Sequence, residues 1–486
     1  MTAFPRTLAA LLALAAAALH AQEQVNLDLP QIGEPADNGL SPREERELGA
    51  QIVSQFYAFN YVLEDPEITH YVSTLMQRII SGSETAAVVT IFAVKDDRIN
   101  AFALPGGYIG INAGTLVAAD TESELASVLS HELAHVTQRH IARSVNSSNV
   151  ATIATWAAVI GAIIAGSADP DVVLAAVSAG QAANYQRQVN YTRSHELEAD
   201  RLGIRTLAAA GFDPEGVASF FSRLEQQSRL YGNGIPEFLR THPVNTTRLS
   251  EARARIAGLP KRKVSESADF PFIRARARAL AADAPGDAVE YFSSQRPRTA
   301  ASQYGLALSY LRLGDFRRAE TALATVLAEQ PRQLQTLLLG AKIQIGLNQF
   351  PQGLAQYKKT LETYPRSAPA ILEYAQALID AGKPEDARKL LQSRDLAVAG
   401  KADAYRLLAQ AARESNQMTE AQFQTANFLV ERGDAGGALN ALDTALRSAS
   451  LSDAERARLK ARRDEIRGQL PKDWKPKREK LSAQVR

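Results

Sequence analysis

His131-Glu132-Leu133-Ala134-His135 decides how the first half of this chain is read. On a helix, residues four apart lie one turn above each other. His131 and His135 then aim two imidazoles at one point in space, with Glu132 beside them. The helix is expected independently of the histidines. Thr121 stands as N-cap with Glu124 three positions on, the pattern of a capping box, and Leu125, Val128, Leu129 and Leu133 recur at helical spacing. An apolar stripe of that kind buries the helix in a core and holds the side chains of its other face in place. Two imidazoles and a carboxylate so arranged point to a zinc ion and metal-assisted hydrolysis of a peptide bond, with Glu132 as general base.

Two histidines do not complete such a site, which takes three protein ligands and leaves one position for water. Of the seven histidines, His20 falls in a segment expected to be removed, and His140, nine residues past His131, shares no simple helical register with it. His70, His195, His242 and the carboxylates remain. His195-Glu196-Leu197-Glu198-Ala199-Asp200-Arg201 opens a second apolar-periodic segment, with Leu197, Leu202, Ile204 and Leu207, that closes at Gly211. Glu196 and Asp200 share a helix face there. Glu196 is the expected third ligand and His195 its competitor. Asp200 is placed to accept a hydrogen bond from a ligand histidine and orient it.

A histidine-bearing helix followed some tens of residues later by Glu-x-x-Ala-Asp resembles the zinc peptidase family of HtpX and the CaaX prenyl proteases. The resemblance extends upstream to Asn100-Ala101-Phe102-Ala103 and Gly106-Gly107-Tyr108-Ile109-Gly110-Ile111, and downstream to Thr241-His242-Pro243 with Arg248. It implies a gluzincin-type endopeptidase with one Zn2+ per chain, held by His131, His135 and Glu196. It also implies a role for His242, either as a donor to the oxyanion or as a fourth ligand that closes the site at rest, as in a close subgroup of the family. Substrate is expected to add as an extended strand. Val88–Val94 reads as a buried strand and Tyr108–Asn112 as another near the cleft, with Gly106, Gly107 and Gly110 allowing close backbone approach.

The chain has 486 residues, a formal net charge of +2 and no cysteine. Length allows two or more domains, the charge balance argues against nucleic acid, and disulfide or thiolate chemistry is excluded. Residues 1–21 read as a secretory signal: Arg6, an Ala/Leu core from Leu8 to Leu19, and a small-residue exit. The expected address is the periplasm. Residues 150–166 carry no charge over 17 positions, the short limit for a membrane span. With the apolar stretch 172–183 they are expected to form a buried or interfacial helix pair beside the cleft.

The second half repeats every 34 residues. Ala307, Ala341, Ala375 and Ala409 share one column, Gly314, Asn348, Gly382 and Asn416 a second, and Ala319, Gly353, Ala387 and Ala421 a third; Pro297, Pro331 and Pro365 close units. This is the tetratricopeptide period, with small residues where paired helices cross. The first unit, around 268–297, is degenerate, and the register breaks after Ala421, where Gly433-Asp434 comes half a period after Asn416. Terminal units of a stack are expected to be atypical.

The fold class expected is therefore an α+β zincin-type metallopeptidase domain followed by an all-α tetratricopeptide-repeat solenoid. The boundaries are signal peptide 1–21, peptidase 22–258, linker 259–268, array 269–470 and basic tail 471–486. The combination resembles envelope proteases of Gram-negative bacteria that work on outer-membrane β-barrel proteins. It implies unfolded or misassembled outer-membrane proteins as substrates, barrel-assembly machinery as a partner of the array, and at most peripheral membrane contact. The competing reading is a chaperone or scaffold whose array binds clients while the zinc site is mostly silent.

Overall fold

Ser41 and Glu44 cap each other's backbone at the start of helix α1 (Pro42–Ala58), and Asp65 caps α2 (Pro66–Ser81) by accepting from the Ile68 amide. These helices open a computed structural model that describes residues 40–144, 182–230, 238, 242, 246–260, 264, 266–395 and 400–470. The expected signal peptide, the segment 150–166, most of 172–183 and the tail 471–486 lie outside the described residues.

Three short strands follow α2: β1 (Thr90–Val94), β2 (Ala101–Leu104) and β3 (Tyr108–Asn112). They form a sheet in the order β1-β3-β2, with β1 parallel and β2 antiparallel to β3, and Ile109 paired with both Ile91 and Ala103. The expected strand at 108–112 is thus the sheet's interior. The strand with an outer edge beside the metal-helix candidate is β2, and no strand among the described residues pairs with that edge.

The glycines between β2 and β3 allow close approach of the chain's own backbone. Gly106 and Gly107 sit at φ +76° and +87°, and a Cβ on them would come 2.5 Å from the Arg46 Cα and 2.2 Å from the Val88 carbonyl oxygen. They let the chain pack on itself in a tight turn that a side chain would block.

Helix α3 (Ala113–Ala118) leads to α4 (Glu122–Thr137), which carries His131 and His135, and then to a five-residue helix α5 (His140–Ser144). Thr121 caps α4 as expected, accepting from the Glu124 amide at 3.1 Å. The other half of the capping box is absent: Glu124 accepts from the Asp120 amide and pairs with Arg223 instead. Helix α6 (Ala182–Ala209) carries Glu196 and Asp200, and begins well before His195, where the apolar periodicity alone would open it. Helices α7 (Glu215–Leu230) and α8 (Thr246–Ala257) complete this half. No helix of the described residues is long and apolar enough to cross a membrane.

One apolar core unites these elements. It contains Ile68 and Val72 of α2, Ile109 and Ile111 of β3, Leu125 and Leu129 of α4, Leu207 of α6 and Phe220 of α7. It also contains Phe270, Ile273 and Ala277 of α9 (Phe270–Ala281), the first helix of the repeat region. The segment expected to link the halves is pinned as well. Glu266 accepts from the Ser123 hydroxyl at 2.6 Å, and the Ser267 amide donates to Glu122, both at the first turn of α4.

The repeat region continues in antiparallel pairs: α10 (Pro285–Ser294) follows α9, then α11 (Ala300–Arg312) with α12 (Phe316–Glu329) and α13 (Leu334–Gly346) with α14 (Phe350–Thr363). Next come α15 (Ala368–Asp380) with α16 (Pro384–Gln392), α17 (Lys401–Glu414) with α18 (Met418–Glu431), and the closing helices α19 (Ala435–Leu446) and α20 (Asp453–Gln469). The small-residue column is buried where helices cross: Ala307, Ala341 and Ala375 are inaccessible. The turn column is a conformational one. Gly314, Asn348, Gly382 and Asn416 all adopt left-handed backbone, φ +58° to +76°, which only Gly and Asn enter readily. Gly433 repeats it at φ +76°, so the half-period shift after Asn416 marks an added helix in the stack.

The array folds back onto the peptidase half through two arginines. Arg276 of α9 makes paired 2.7 Å hydrogen bonds to Asp65, and lies 2.6 Å from Glu67 and 3.7 Å from Glu373 of α15. Arg432, after α18, bonds Glu64 at 2.7 Å and lies 3.6 Å over the Tyr57 ring.

Candidate metal centre

Helix α4 places the His131 and His135 rings one above the other, their Nε2 atoms 3.0 Å apart. Glu196, from α6, brings its carboxylate to both: 3.4 Å from His131 Nε2 and 3.4 Å from His135 Nε2. The approach of α6 depends on Gly203, where a Cβ would come 3.2 Å from the His131 amide nitrogen. His242 joins the same point, its Nδ1 3.3 Å from His131 Nε2 and 3.1 Å from Glu196 Oε1. The four side chains offer ligand atoms all within 4.8 Å of one another. His195, the competing ligand, is not among them.

Behind this cluster stands a carboxylate and a guanidinium. Asp200 Oδ1 lies 3.1 Å from His131 Nδ1, and Arg248 grips Asp200 through two hydrogen bonds of 2.7 and 2.8 Å. Arg248 also reaches Glu196 at 2.9 Å. Sequence reading attached no task to Arg248 beyond its place in the family pattern; here it fixes both α6 carboxylates and lies buried with them.

Electrostatics favour a cation at the cluster. Burial opposes ionisation of Glu196, yet His242, His131 and His135 outweigh it and hold its carboxyl well below the ordinary range. Burial likewise disfavours a charged His131, but Asp200 and Glu196 raise its pKa to about 10. The negative potential that draws a proton to His131 draws a metal ion equally. Burial pushes His135 down, keeping that ring neutral and available as a donor.

The donor set fits a divalent metal of the zinc type: two imidazole nitrogens, one carboxylate and a fourth nitrogen within reach. Beside it, Glu132 is fully buried, and neither of its carboxylate oxygens has a hydrogen-bond partner among the described residues. Its nearest polar neighbour in the site is His242 Nε2, 3.5 Å from Oε1. A buried carboxylate without hydrogen bonds is expensive to keep.

His140 is out of register with His131 only on a continuous helix. Helix α4 instead ends at Thr137, and Arg139 turns the chain with φ +51°, held there by hydrogen bonds to Glu45 and the Leu40 carbonyl. The turn brings His140 Nδ1 to 2.9 Å from His135 Nδ1. His195 stacks on the other side of His140, ring centroids 4.1 Å apart and planes within 5° of parallel. The sequence signal available was the positive-φ break itself, which Arg does not announce.

The chain matches Peptidase family M48 over residues 63–256 and a tetratricopeptide repeat over residues 344–400. It is 30% identical over 455 residues to the beta-barrel assembly-enhancing protease of Escherichia coli (strain K12), covering 92% of this chain and 93% of that one. It is 32% identical over 445 residues to the protein of the same name in Yersinia pestis, covering 90% and 91%. A more distant likeness, 29% over 153 residues, covers 32% of this chain and 28% of the mitochondrial metalloendopeptidase OMA1 of Arabidopsis thaliana. The chain is a metallopeptidase and belongs to peptidase family M48.

Proposed function

We propose that this chain is a zinc-dependent endopeptidase of the bacterial periplasm, acting in quality control of outer-membrane proteins by degrading misassembled β-barrels and assisting their assembly. The observation that carries the hydrolytic reading is the convergence of His131, His135 and Glu196 beside the buried, unpartnered carboxylate of Glu132. The substrate class rests on the names of the relatives together with their coverage of 92% and 90% of this chain.

In this reading His131, His135 and Glu196 hold the metal, which when bound polarises the scissile carbonyl and makes water acidic enough to lose a proton near neutrality. Glu132 accepts the proton of the attacking water and delivers it to the leaving amine. Asp200 keeps His131 in the tautomer with Nε2 free, and Arg248 keeps Asp200 in place. Peptide lies along the outer edge of β2 and adds to the sheet by backbone hydrogen bonds, which suits unfolded clients of varied sequence. His242, with Nδ1 inside the ligand cluster, serves as a fourth ligand that closes the site at rest, so that its withdrawal exposes the reaction position.

The crowding of His242 into the cluster also favours a second reading: a client-binding chaperone whose peptidase is mostly silent. One experiment separates them. Glu132→Gln protein purified from a cell envelope should contain one zinc per chain, cleave nothing and retain outer-membrane proteins. Retained cleavage or a metal-free folded protein would overturn the hydrolytic mechanism. Full complementation of a deletion by Glu132→Gln would favour the chaperone.

A further inference from the structure

His135 is backed differently from His131, and the difference assigns work to two residues outside the ligand cluster. Resting on the metal reading above, the geometry assigns His140 and Glu198 as positioning residues: a two-step hydrogen-bond relay that fixes the tautomer of His135.

The argument is one of proton counting. A histidine that offers Nε2 to a metal carries its proton on Nδ1, and that N–H needs an acceptor. For His131 the atom facing Nδ1 is a carboxylate oxygen of Asp200, 3.1 Å away. For His135 the atom facing Nδ1 is another imidazole nitrogen, His140 Nδ1, at 2.9 Å. Two like nitrogens at that distance bond only if one bears hydrogen and the other a lone pair. With His135 donating, His140 must present a bare Nδ1, so its own proton sits on Nε2. That atom lies 3.1 Å from Glu198 Oε2, a carboxylate oxygen that only accepts. Arg143 holds the same oxygen at 3.2 Å. Every proton position from Glu198 to the ligand atom of His135 is then determined.

The reverse assignment fails at the cluster. If His140 donated from Nδ1, His135 would carry its proton on Nε2, the nitrogen aimed at Glu196 and His131, and would lose its lone pair to a metal. His140 itself is 3% exposed, so its ring nitrogens are satisfied by protein groups and not by bulk water. The stacked ring of His195 sets the plane of His140. Helix α6 therefore serves both imidazoles of α4. One face supplies Glu196 and Asp200. A second face, with His195 and Glu198 three apart, supports His135 through His140.

The test is Zn2+ affinity of the full chain, measured at one pH by competition with a chromophoric chelator. His140→Phe keeps the ring and its stacking but deletes the acceptor, and should weaken zinc binding about 10- to 100-fold. His140→Asn, which places an amide oxygen near the lost Nδ1, should restore most of the affinity. Glu198→Ala should weaken binding less than His140→Phe, and the double variant no more than His140→Phe alone, because the two act in series. Wild-type affinity in His140→Phe, or losses that multiply in the double variant, would overturn the relay. If His140→Phe does not fold, Glu198→Ala and His140→Asn decide: unchanged affinity in Glu198→Ala with tenfold-weakened binding in His140→Asn overturns it. A wild-type chain that binds no zinc refutes the metal reading itself, a distinct result.

Discussion

His242 and Glu132 face each other across 3.5 Å, with His242 Nε2 toward the carboxylate and His242 Nδ1 turned to Glu196. One imidazole thus spans the third-ligand candidate and the base candidate. In the function proposed above, a side chain in that position occupies the space a water and a scissile carbonyl would need. Replacing His242 by Ala should raise cleavage of an unfolded protein substrate roughly tenfold, the gain from fully opening a site that rests about nine-tenths closed. Measured as initial rates at saturating zinc, a fall in rate instead would assign His242 to oxyanion stabilisation.

Asp200 should matter through His131. Asp200→Asn retains an oxygen for the His131 Nδ1 proton but removes the charge that Arg248 neutralises. Zinc affinity should fall about 10- to 100-fold. An isotherm identical to wild type would show that the 3.1 Å contact does not orient the ligand.

The junction between peptidase and array should make stability depend on pH. Asp65, Glu67 and Glu373 are buried around Arg276, with Lys342 3.1 Å from Glu373. Three carboxylates meet two cations in a dry site, so one carboxyl keeps its proton. Burial, with the neighbouring Glu373 and Asp65, pushes Glu67 up to about 8 against the pull of Arg276. The folded chain then binds more protons than the unfolded one between pH 4.5 and about 8, and this contribution to stability shrinks as pH rises through that window. Asp65, held low by Arg276 despite its burial, acts oppositely and only in acid. Glu67→Gln should therefore melt progressively higher relative to wild type as pH rises from 5.5 to 8. A melting difference independent of pH would place the retained proton elsewhere.

The turn column of the array offers a test free of packing. Gly382 has φ +70°, and a Cβ there would meet nothing within 4 Å. Gly382→Ala should destabilise the protein by about 1–2 kcal/mol from backbone conformation alone, read by chemical denaturation. A neutral result would mean that the turn relaxes out of the left-handed region.

How much was legible follows from what kind of contact carries each feature. The pair His131 and His135, the pair Glu196 and Asp200, and the Ala and Gly/Asn columns of the repeats are set by helical geometry, which spacing encodes directly. His140 was passed over because its position depends on Arg139 leaving helical backbone, a turn stabilised by Glu45, 94 residues earlier. The place of the strand at 108–112 in the interior of the sheet was not legible, because periodicity marks a strand as buried without telling its neighbours. The first repeat unit departs from the repeat pattern because Phe270, Ile273 and Ala277 pack into the peptidase core.

The amino-acid order by itself determined the histidine-bearing helix and the second helix with its two carboxylates, each a relation among residues about one turn apart, and the period of the array, a recurrence of residue types every 34 positions. Only tertiary packing decided that His242 enters the ligand cluster, that His140 and Glu198 back His135, and that Arg276 bonds Asp65 across 211 residues. Those relations join segments whose meeting depends on how whole helices share a core, and no local spacing carries that information.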